Sequence, residues 1–540
     1  MRHFPPNMLG DPLLPTQARP VRNLDSFLRA VYAYWSKRGL LCSLLSEVSD
    51  LVVSLFVALL LVFLCAIDYA ALKRRVMHGE CPDGTLNVAD VFHADCYGDQ
   101  PVQLSRLGSP AFWLTFGLVG VFWACALGAF LFRIPKLLRM RAFFRDELEV
   151  DERHVQTISW DSICSRLTRC NLASEPLNAL QICNCVTRAS NYKIGLFNEV
   201  LDTDYFPKSL EFCIDYAFRR VVYNARRDVC IHAHNLDESA DKLARWFRVI
   251  AIANLVLAPG IFIFRGAVFI FRYVDDWRRR PGSIASRTWS RAARWKLRHY
   301  CELDHAFDQR MRLAHGAAMR YTSLFTSEAA GLASRSILVI CGGFVVVNVC
   351  LAFLLDDGYL TVELSPGRSV AFWLGLVGMV MAVASSLVPD ELRIFDPVTK
   401  LEDVAKHTHY YPDAWKGAEA TLDTYGSVVG LFPYKLRQFV AELLSVAITP
   451  YVLAFVLPKK ARAIAVFFAN TTRRCRVIGD VCRYALFEGD SNPKMEMSML
   501  LFQESNPSWA PTTEWQRSLL DQRDARSLAN EHHESVVLGE

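Results

Sequence analysis

The sequence predicts an all-α, polytopic integral membrane protein with four transmembrane helices and two re-entrant membrane helices. Three observations lead there. Four uncharged apolar runs are long enough to cross a bilayer, two more are interrupted by proline, and the basic residues gather in particular intervening segments. The composition agrees: of 540 residues, 52% are hydrophobic and 12% aromatic, against roughly 45–50% apolar in soluble domains. With 21% charged residues, the chain is not confined to lipid. So much apolar surface excludes a mainly disordered chain. With 27 Gly and 16 Cys it is neither collagen-like nor a disulfide scaffold.

Leu51–Ile67, Ala111–Phe132, Ser336–Leu355 and Val370–Val388 carry no charge and run 17 to 22 residues. A bilayer core needs about 20 apolar residues of helix, within about 17–25. The helix satisfies its own backbone in hydrocarbon, so all four are expected as spans. Val249–Phe271 carries Pro259-Gly260 at its centre, and the 15-residue Leu443–Leu457 carries Pro450. Proline removes a helical hydrogen bond and clashes with the preceding turn. Both runs are therefore read as broken, re-entrant segments, with a kinked span as the alternative for the first.

Basic residues set the orientation. The loop 68–110 holds four Lys or Arg against six acids, and the loop 356–369 holds only Arg368. The segment 133–248 holds 18 and the segment 272–335 holds 13. The positive-inside rule places both termini and the large segments in the cytosol. The organisation is then a cytosolic segment 1–47, transmembrane helices 1 and 2 within 48–132, and a cytosolic helical domain 133–248. A re-entrant helix 249–271 and a basic cytosolic segment 272–335 follow. Transmembrane helices 3 and 4 fall within 336–388, with cytosolic helices 389–442, a re-entrant helix 443–457, amphipathic helices 458–488 and a mostly polar tail 489–540. No signal peptide is expected. Cys81 and Cys96, in the luminal loop, are the pair placed to form a bridge; the remaining thiols are expected free. The sequon Asn470-Thr471-Thr472 falls on the cytosolic side and is expected silent.

Catalytic machinery is not legible. The sequence has no G-x-x-x-x-G-K-[ST] loop, no G-x-G-x-x-G after a strand, no G-x-S-x-G and no H-E-x-x-H. Cys183-x-Cys185, His232-x-His234 and His407-x-His409 have the wrong spacing for zinc, so no metal or other cofactor is expected.

The strongest local signal is Arg278–Arg298 (RRRPGSIASRTWSRAARWKLR), with eight Lys or Arg and no acid. Arg287, Arg291, Arg294 and Arg298 fall at i, i+4, i+7 and i+11, one face of a helix. Such a helix either attracts anionic lipid at the membrane surface or lines a watery path for phospholipid headgroups. Nucleic acid is set aside as a partner for a multispanning chain. Gly375, Gly378 and Ala382 form a small-residue row on the last span, suited to close helix packing or to a passage.

Five blocks carry a family resemblance: NLDSFLRAVYAYWSKRGLLCSLL from Asn23, RPGSIASRTWSRAARWKLRHYCELDHAFDQR from Arg280, HTHYYPDAWKG from His407, LFPYKLRQFVAELLSVAITPYVLAFVLPKKARAIAVFF from Leu431, and KMEMSMLLFQESNPSWAP from Lys494. In that order they resemble the autophagy-related protein 9 family, from about residue 23 to 511. The resemblance implies a domain-swapped homotrimer with four transmembrane and two re-entrant helices per protomer. It implies an ATP-independent phospholipid scramblase on Golgi- or endosome-derived vesicles that seed the isolation membrane. The implied partners are phospholipids, a rod-shaped lipid-transfer protein delivering lipid from the endoplasmic reticulum, and other core autophagy factors. The chain departs from the family in its short tails and in Arg278-Arg279-Arg280, where vertebrate-like members carry a mixed-charge Lys-Arg-Glu.

On that reading Arg278, Arg279 and Arg280 form a cytosolic mouth, with Arg287, Arg291, Arg294 and Arg298 lining the path behind it. Arginine suits phosphate through its planar fork. Two other functions remain open. A trimeric vesicle scaffold has the same topology without lipid flux, and a solute transporter would place an ionisable residue inside a span. The four runs contain none.

Overall fold

The computed structural model describes residues 23–66 and 110–523, apart from 171, 202, 204, 225–227, 280–285, 326–327, 356, 366–367, 386–387, 389–393, 490–491 and 508. Asn23 starts the first helix: its side chain accepts the Ser26 backbone N–H at 3.2 Å, a standard N-cap. Helix α1 (Leu24–Ser36) ends at a reversal through Arg38 and Gly39, both at positive φ. α2 (Leu40–Ala66) and α3 (Pro110–Asp146) follow and pack together. α4 (Trp160–Leu167), α5 (Ala179–Leu196) and α6 (Lys208–Val221) lead into α7 (Leu236–Arg279).

The second half holds α8 (Arg291–Lys296), α9 (Asp304–Ser323) and α10 (Glu328–Leu355). A small antiparallel hairpin, β1 (Glu363–Ser365) with β2 (Arg368–Ser369), joins α10 to α11 (Val370–Ser385). Then come α12 (Pro397–Thr408), α13 (Leu422–Leu431), α14 (Lys435–Tyr451) and α15 (Leu457–Thr471), the hairpin of β3 (Thr472–Cys475) with β4 (Gly479–Cys482), and α16 (Pro493–Ser505).

Among the described residues four helical stretches are long and apolar enough to cross a membrane: Leu40–Leu60, Ala233–Phe262, Gly331–Leu355 and Lys435–Thr471. Leu40–Leu60 and Gly331–Leu355 overlap two of the expected spans, whereas Ala233–Phe262 and Lys435–Thr471 take in the proline-bearing runs. Val370–Ser385 is a shorter apolar helix, and many α3 side chains lie outside the described residues. The expected breaks at proline are absent. α7 runs for 44 residues through Pro259, and Leu255, four residues earlier, is exposed. A helix in apolar surroundings keeps its remaining bonds, because no water replaces them. At Pro450 the strain is absorbed locally: Val452–Val456 widens into a π turn before α15 continues.

The core has two parts. The larger brings α1 and the end of α3 onto α4, α5, α6, α15 and α16 around Phe27, Phe143, Phe144, Tyr192 and Phe468. The segment expected as a polar tail takes part: Met495, Met499, Phe502 and Trp509 are buried in it. The smaller joins α8, α9, α12 and α13 around Trp289, Met311, Tyr321 and Phe432. Residues 81 and 96, the expected disulfide pair, lie outside the described residues.

Candidate functional site

Where α1, α2, α3, α5 and α9 meet, they enclose an open cavity of about 1260 Å³. Small-molecule clefts span roughly 300–1,000 Å³, so this space is larger than an ordinary one. Each wall is one helical face. On α3, Cys125, Ala126, Ala129, Phe130 and Arg133 recur at helical spacing, and so do Asp304, His305, Asp308, Gln309 and Arg312 on α9. The alanines let the α3 wall recede, while Arg133 marks where its apolar face ends. Glu47, Asp50 and Leu51 supply the α2 wall. The Trp123 indole donates to the Leu51 carbonyl at 3.1 Å and fixes α2 against α3.

The cavity is therefore apolar along Cys125, Ala126, Ala129 and Phe130 of α3 and charged where α1 and α9 close it. Glu47 holds both Lys37 (2.9 Å) and Arg133 (3.4 Å). Arg298 pairs with Asp304 at 2.6 Å. The Tyr32 hydroxyl accepts the His305 backbone N–H at 3.1 Å and stands 3.1 Å from Nδ1 of the same residue. Burial lowers the His305 pKa, with the Arg38 charge adding to it and Asp304 opposing it.

The arginines singled out in the sequence are placed differently from expectation. The shared helical face of Arg287, Arg291, Arg294 and Arg298 does not exist: α8 covers only Arg291–Lys296. Residues before it are extended and pair with the start of α14, through an Arg287–Tyr434 bridge and a Thr288 N–H to Pro433 carbonyl bond of 3.0 Å. Arg287 is buried, donates to the Phe432 carbonyl and the Tyr425 hydroxyl, and lies 3.9 Å over the Tyr434 ring. Arg291 pairs with Glu211 at 3.2 Å and Arg294 with Asp308 at 2.5 Å. Of the four, only Arg298 lines the cavity. Arg278 and Arg279 end α7, with side chains outside the described residues, and Arg280 lies outside them altogether. Gly375 and Gly378 are exposed on α11, where a Cβ added to either would meet nothing within 4 Å, and Ala382 is half-buried on the same helix. Among the described residues, neither glycine makes the close packing expected of that row.

Arg29, Lys37, Arg38, Glu47, Asp50 and Arg312 were not legible as site residues. A signal existed for two: Asp50 directly precedes Leu51 and Glu47 lies one turn earlier, and α2 begins at Leu40, so both lie within a membrane-length helix. Among the described residues no cluster of three His, Cys, Asp or Glu could hold a metal. Cys183 instead donates to the Cys301 carbonyl at 2.8 Å.

The comparisons agree with this architecture. Residues 16–488 match the family described as "Autophagy protein ATG9". The chain is 29% identical over 538 residues to autophagy-related protein 9 of Dictyostelium discoideum, covering 92% of this chain and 74% of that protein. It is 30% identical over 503 residues to the Coccidioides immitis protein of the same name, covering 87% and 52%. For Kluyveromyces lactis the figures are 28% over 494 residues, 87% and 52%; the chain thus spans about half the length of these fungal relatives. The cryo-EM structure of Schizosaccharomyces pombe Atg9 superposes with a TM-score of 0.62 at 25% identity, covering 86% of this chain and 99% of that one. Helical architecture, membrane-length segments and sequence together make this chain a member of the autophagy protein ATG9 family.

Proposed function

We propose that this chain is an ATP-independent phospholipid scramblase of autophagy, passing lipids between leaflets on the vesicles that seed and expand the isolation membrane. One observation carries the reading: the cavity of about 1260 Å³ that joins a charged floor to an apolar α3 wall. A phospholipid crossing hydrocarbon is opposed by the cost of desolvating its headgroup. A polar groove open to lipid lowers that cost while the tails stay in the bilayer. The reaction makes and breaks no covalent bond, so it needs no catalytic group, nucleotide or cofactor.

The family resemblance extends the proposal. The working unit is a homotrimer, and the helices carrying Val249–Phe271 and Leu443–Leu457, although unbroken at their prolines, enter the membrane from the cytosolic side without crossing it. Both termini face the cytosol at preautophagosomal membranes, Golgi- or endosome-derived vesicles and contacts with the endoplasmic reticulum. The partners are a rod-shaped lipid-transfer protein and other core autophagy factors.

The test is reconstitution into liposomes with fluorescent phospholipid and an impermeant quencher, without nucleotide. Wild type is compared with Arg133→Leu/Arg312→Leu and with Arg278→Leu/Arg279→Leu/Arg280→Leu. Quenching well beyond the outer-leaflet fraction, slowed by the first variant, supports the reading. Quenching that stops at the outer leaflet for wild type replaces scrambling with a scaffold that gathers partners. Slowing by the second variant alone moves the path to the end of α7.

A further inference from the structure

The turn that follows α10 doubles back along it. Asn348 is buried in an otherwise apolar stretch of that helix, seven residues before its end at Leu355. Its side-chain amide donates to the Phe344 carbonyl at 2.7 Å, and its side-chain oxygen accepts the Tyr359 hydroxyl at 3.0 Å. A buried amide is costly unless it is bonded, and this bond pins the Tyr359 hydroxyl about 10 Å short of the helix end. From Tyr359 the chain enters the β1–β2 hairpin: the Val362 N–H donates to the Tyr359 carbonyl at 3.1 Å, and the Val370 N–H at the start of α11 donates to the Val362 carbonyl at 2.9 Å. The hairpin register slips between Glu363 and Ser365, which puts Leu364 at a bulge, a device that re-aims a side chain. Val362 and Leu364 are both more than half exposed. On the other strand the Arg368 guanidinium lies 4.8 Å over the exposed ring of Phe372.

We infer that the β1–β2 hairpin is a lipid-contacting element: Val362 and Leu364 sit among the acyl chains of the leaflet at this end of α10, and Arg368 sits at its phosphates. On the proposed orientation that leaflet is the luminal one. The patch adjoins a surface already suited to lipid, because Gly331–Leu355 is long and apolar enough to cross a membrane. The last three residues of that stretch, Phe353, Leu354 and Leu355, are all exposed, so apolar surface continues beyond the level at which Tyr359 is held. A two-stranded hairpin is marginal in water by itself, and one that turns two aliphatic side chains outward gains by placing them out of water. Arginine lays its stem on apolar surface while its charged head stays at the interface, and its planar fork suits phosphate. The stacking of Arg368 on Phe372 is that arrangement. The contact is with lipid in place and makes no use of lipid movement, so it stands apart from the proposed role of the cavity.

The experiment places the photoreactive residue p-benzoylphenylalanine at Leu364 of the full chain, reconstitutes the protein in phosphatidylcholine liposomes, and reads the adducts after illumination by mass spectrometry. A control carries the same residue at Asp413, which is exposed in the short turn before α13. Phosphatidylcholine adduct at Leu364 is expected about tenfold above that at Asp413, as for an apolar group kept out of water. Equal lipid adduct at the two positions overturns the assignment. An adduct joining Leu364 to another copy of the chain, in place of lipid, also overturns it and gives that face to a protein interface. Tyr359→Phe removes one hydroxyl and leaves the ring, so the chain keeps its fold while the pin to Asn348 is lost. In that background the lipid adduct at Leu364 is expected to fall several-fold; an unchanged yield, with Asn348→Leu added as well, overturns the role of the pin.

Discussion

Glu302 grips Arg310 with both carboxylate oxygens: Nε reaches Oε1 at 2.8 Å and Nη2 reaches Oε2 at 2.9 Å. The guanidinium also donates to the carbonyls of Leu297, His407 and Thr408 at 2.9 to 3.1 Å. One side chain on α9 thereby closes the end of the α8 segment and the end of α12, at the seam between the two cores. Both partners are largely buried, at 11% and 9% side-chain exposure. Removing one leaves an uncompensated charge, typically about 3–5 kcal/mol. Arg310→Met or Glu302→Leu should therefore lower the melting temperature of the detergent-solubilised protein strongly. The double variant should recover part of the loss, and a strictly additive double variant would show that the pair acts separately.

The same seam sets the pH response. His299 is buried beside Arg310, Lys494 and His409, and burial first, then those positive charges, holds its pKa well below 6.5. Lys494 is pushed down to about 7, burial leading and Arg310 and Lys296 adding to it, while Glu302 opposes. Both groups are harder to protonate in the fold than in the unfolded chain. The unfolded chain thus binds more protons, and stability rises with pH over each window. For Lys494 the window runs from about 7 to 10.5, and for His299 it lies below 6.5. Melting temperature should climb from pH 6 to pH 9. Lys494→Met should flatten the climb above pH 7 and His299→Gln should flatten it below 6.5; identical slopes in wild type and variants would remove these groups from the account.

Two glycines separate packed from open helix. A Cβ on Gly195 of α5 would stand 2.8 Å from the Phe467 ring, whereas one on Gly375 of α11 meets nothing within 4 Å. Overpacking a filled core costs about 1–3 kcal/mol, and alanine is favoured over glycine in a helix by about 1 kcal/mol. Gly195→Ala should lower the melting temperature and Gly375→Ala should hold or raise it. A fall for Gly375→Ala would mean that another helix, from a second copy, covers that face.

These contrasts locate what sequence made legible. Ser336–Leu355 is uncharged from end to end, and it emerges within one long helix because contiguity alone identifies it. Proline misleads, because loss of one bond does not break a helix whose other bonds have no competing water; α7 continues past Pro259. The arginine row failed for another reason. Helical spacing says which side chains would share a face if the segment were helical, but the segment before Ser290 pairs with residues around Tyr434, well over a hundred positions away. Ser290 then caps α8, accepting the Ala293 N–H at 3.1 Å, a helix-start signal visible in the sequence and outweighed there by the charge pattern. The cavity was out of reach because its walls come from five helices, α1, α2, α3, α5 and α9, and only their packing puts Asp50 and Arg312 in one lining.

Glu47 offers a test of the cavity's charge. Its carboxylate neutralises Lys37 from the turn after α1 and Arg133 from α3. Both cations are partly exposed, at 36% and 29% of the side chain, so losing the pairs costs little, about 0–1 kcal/mol each. Glu47→Gln keeps the shape but removes one negative charge from beside Lys37 and Arg133. The melting temperature should hardly move. Phosphatidylglycerol transfer should rise relative to phosphatidylethanolamine, because the added positive field favours any headgroup with uncompensated negative charge. High salt should erase much of that gain, since screening acts on exposed pairs. If the two lipids keep their wild-type ratio in Glu47→Gln at low salt, headgroups do not pass this lining, and the path must be sought on the open face of α11.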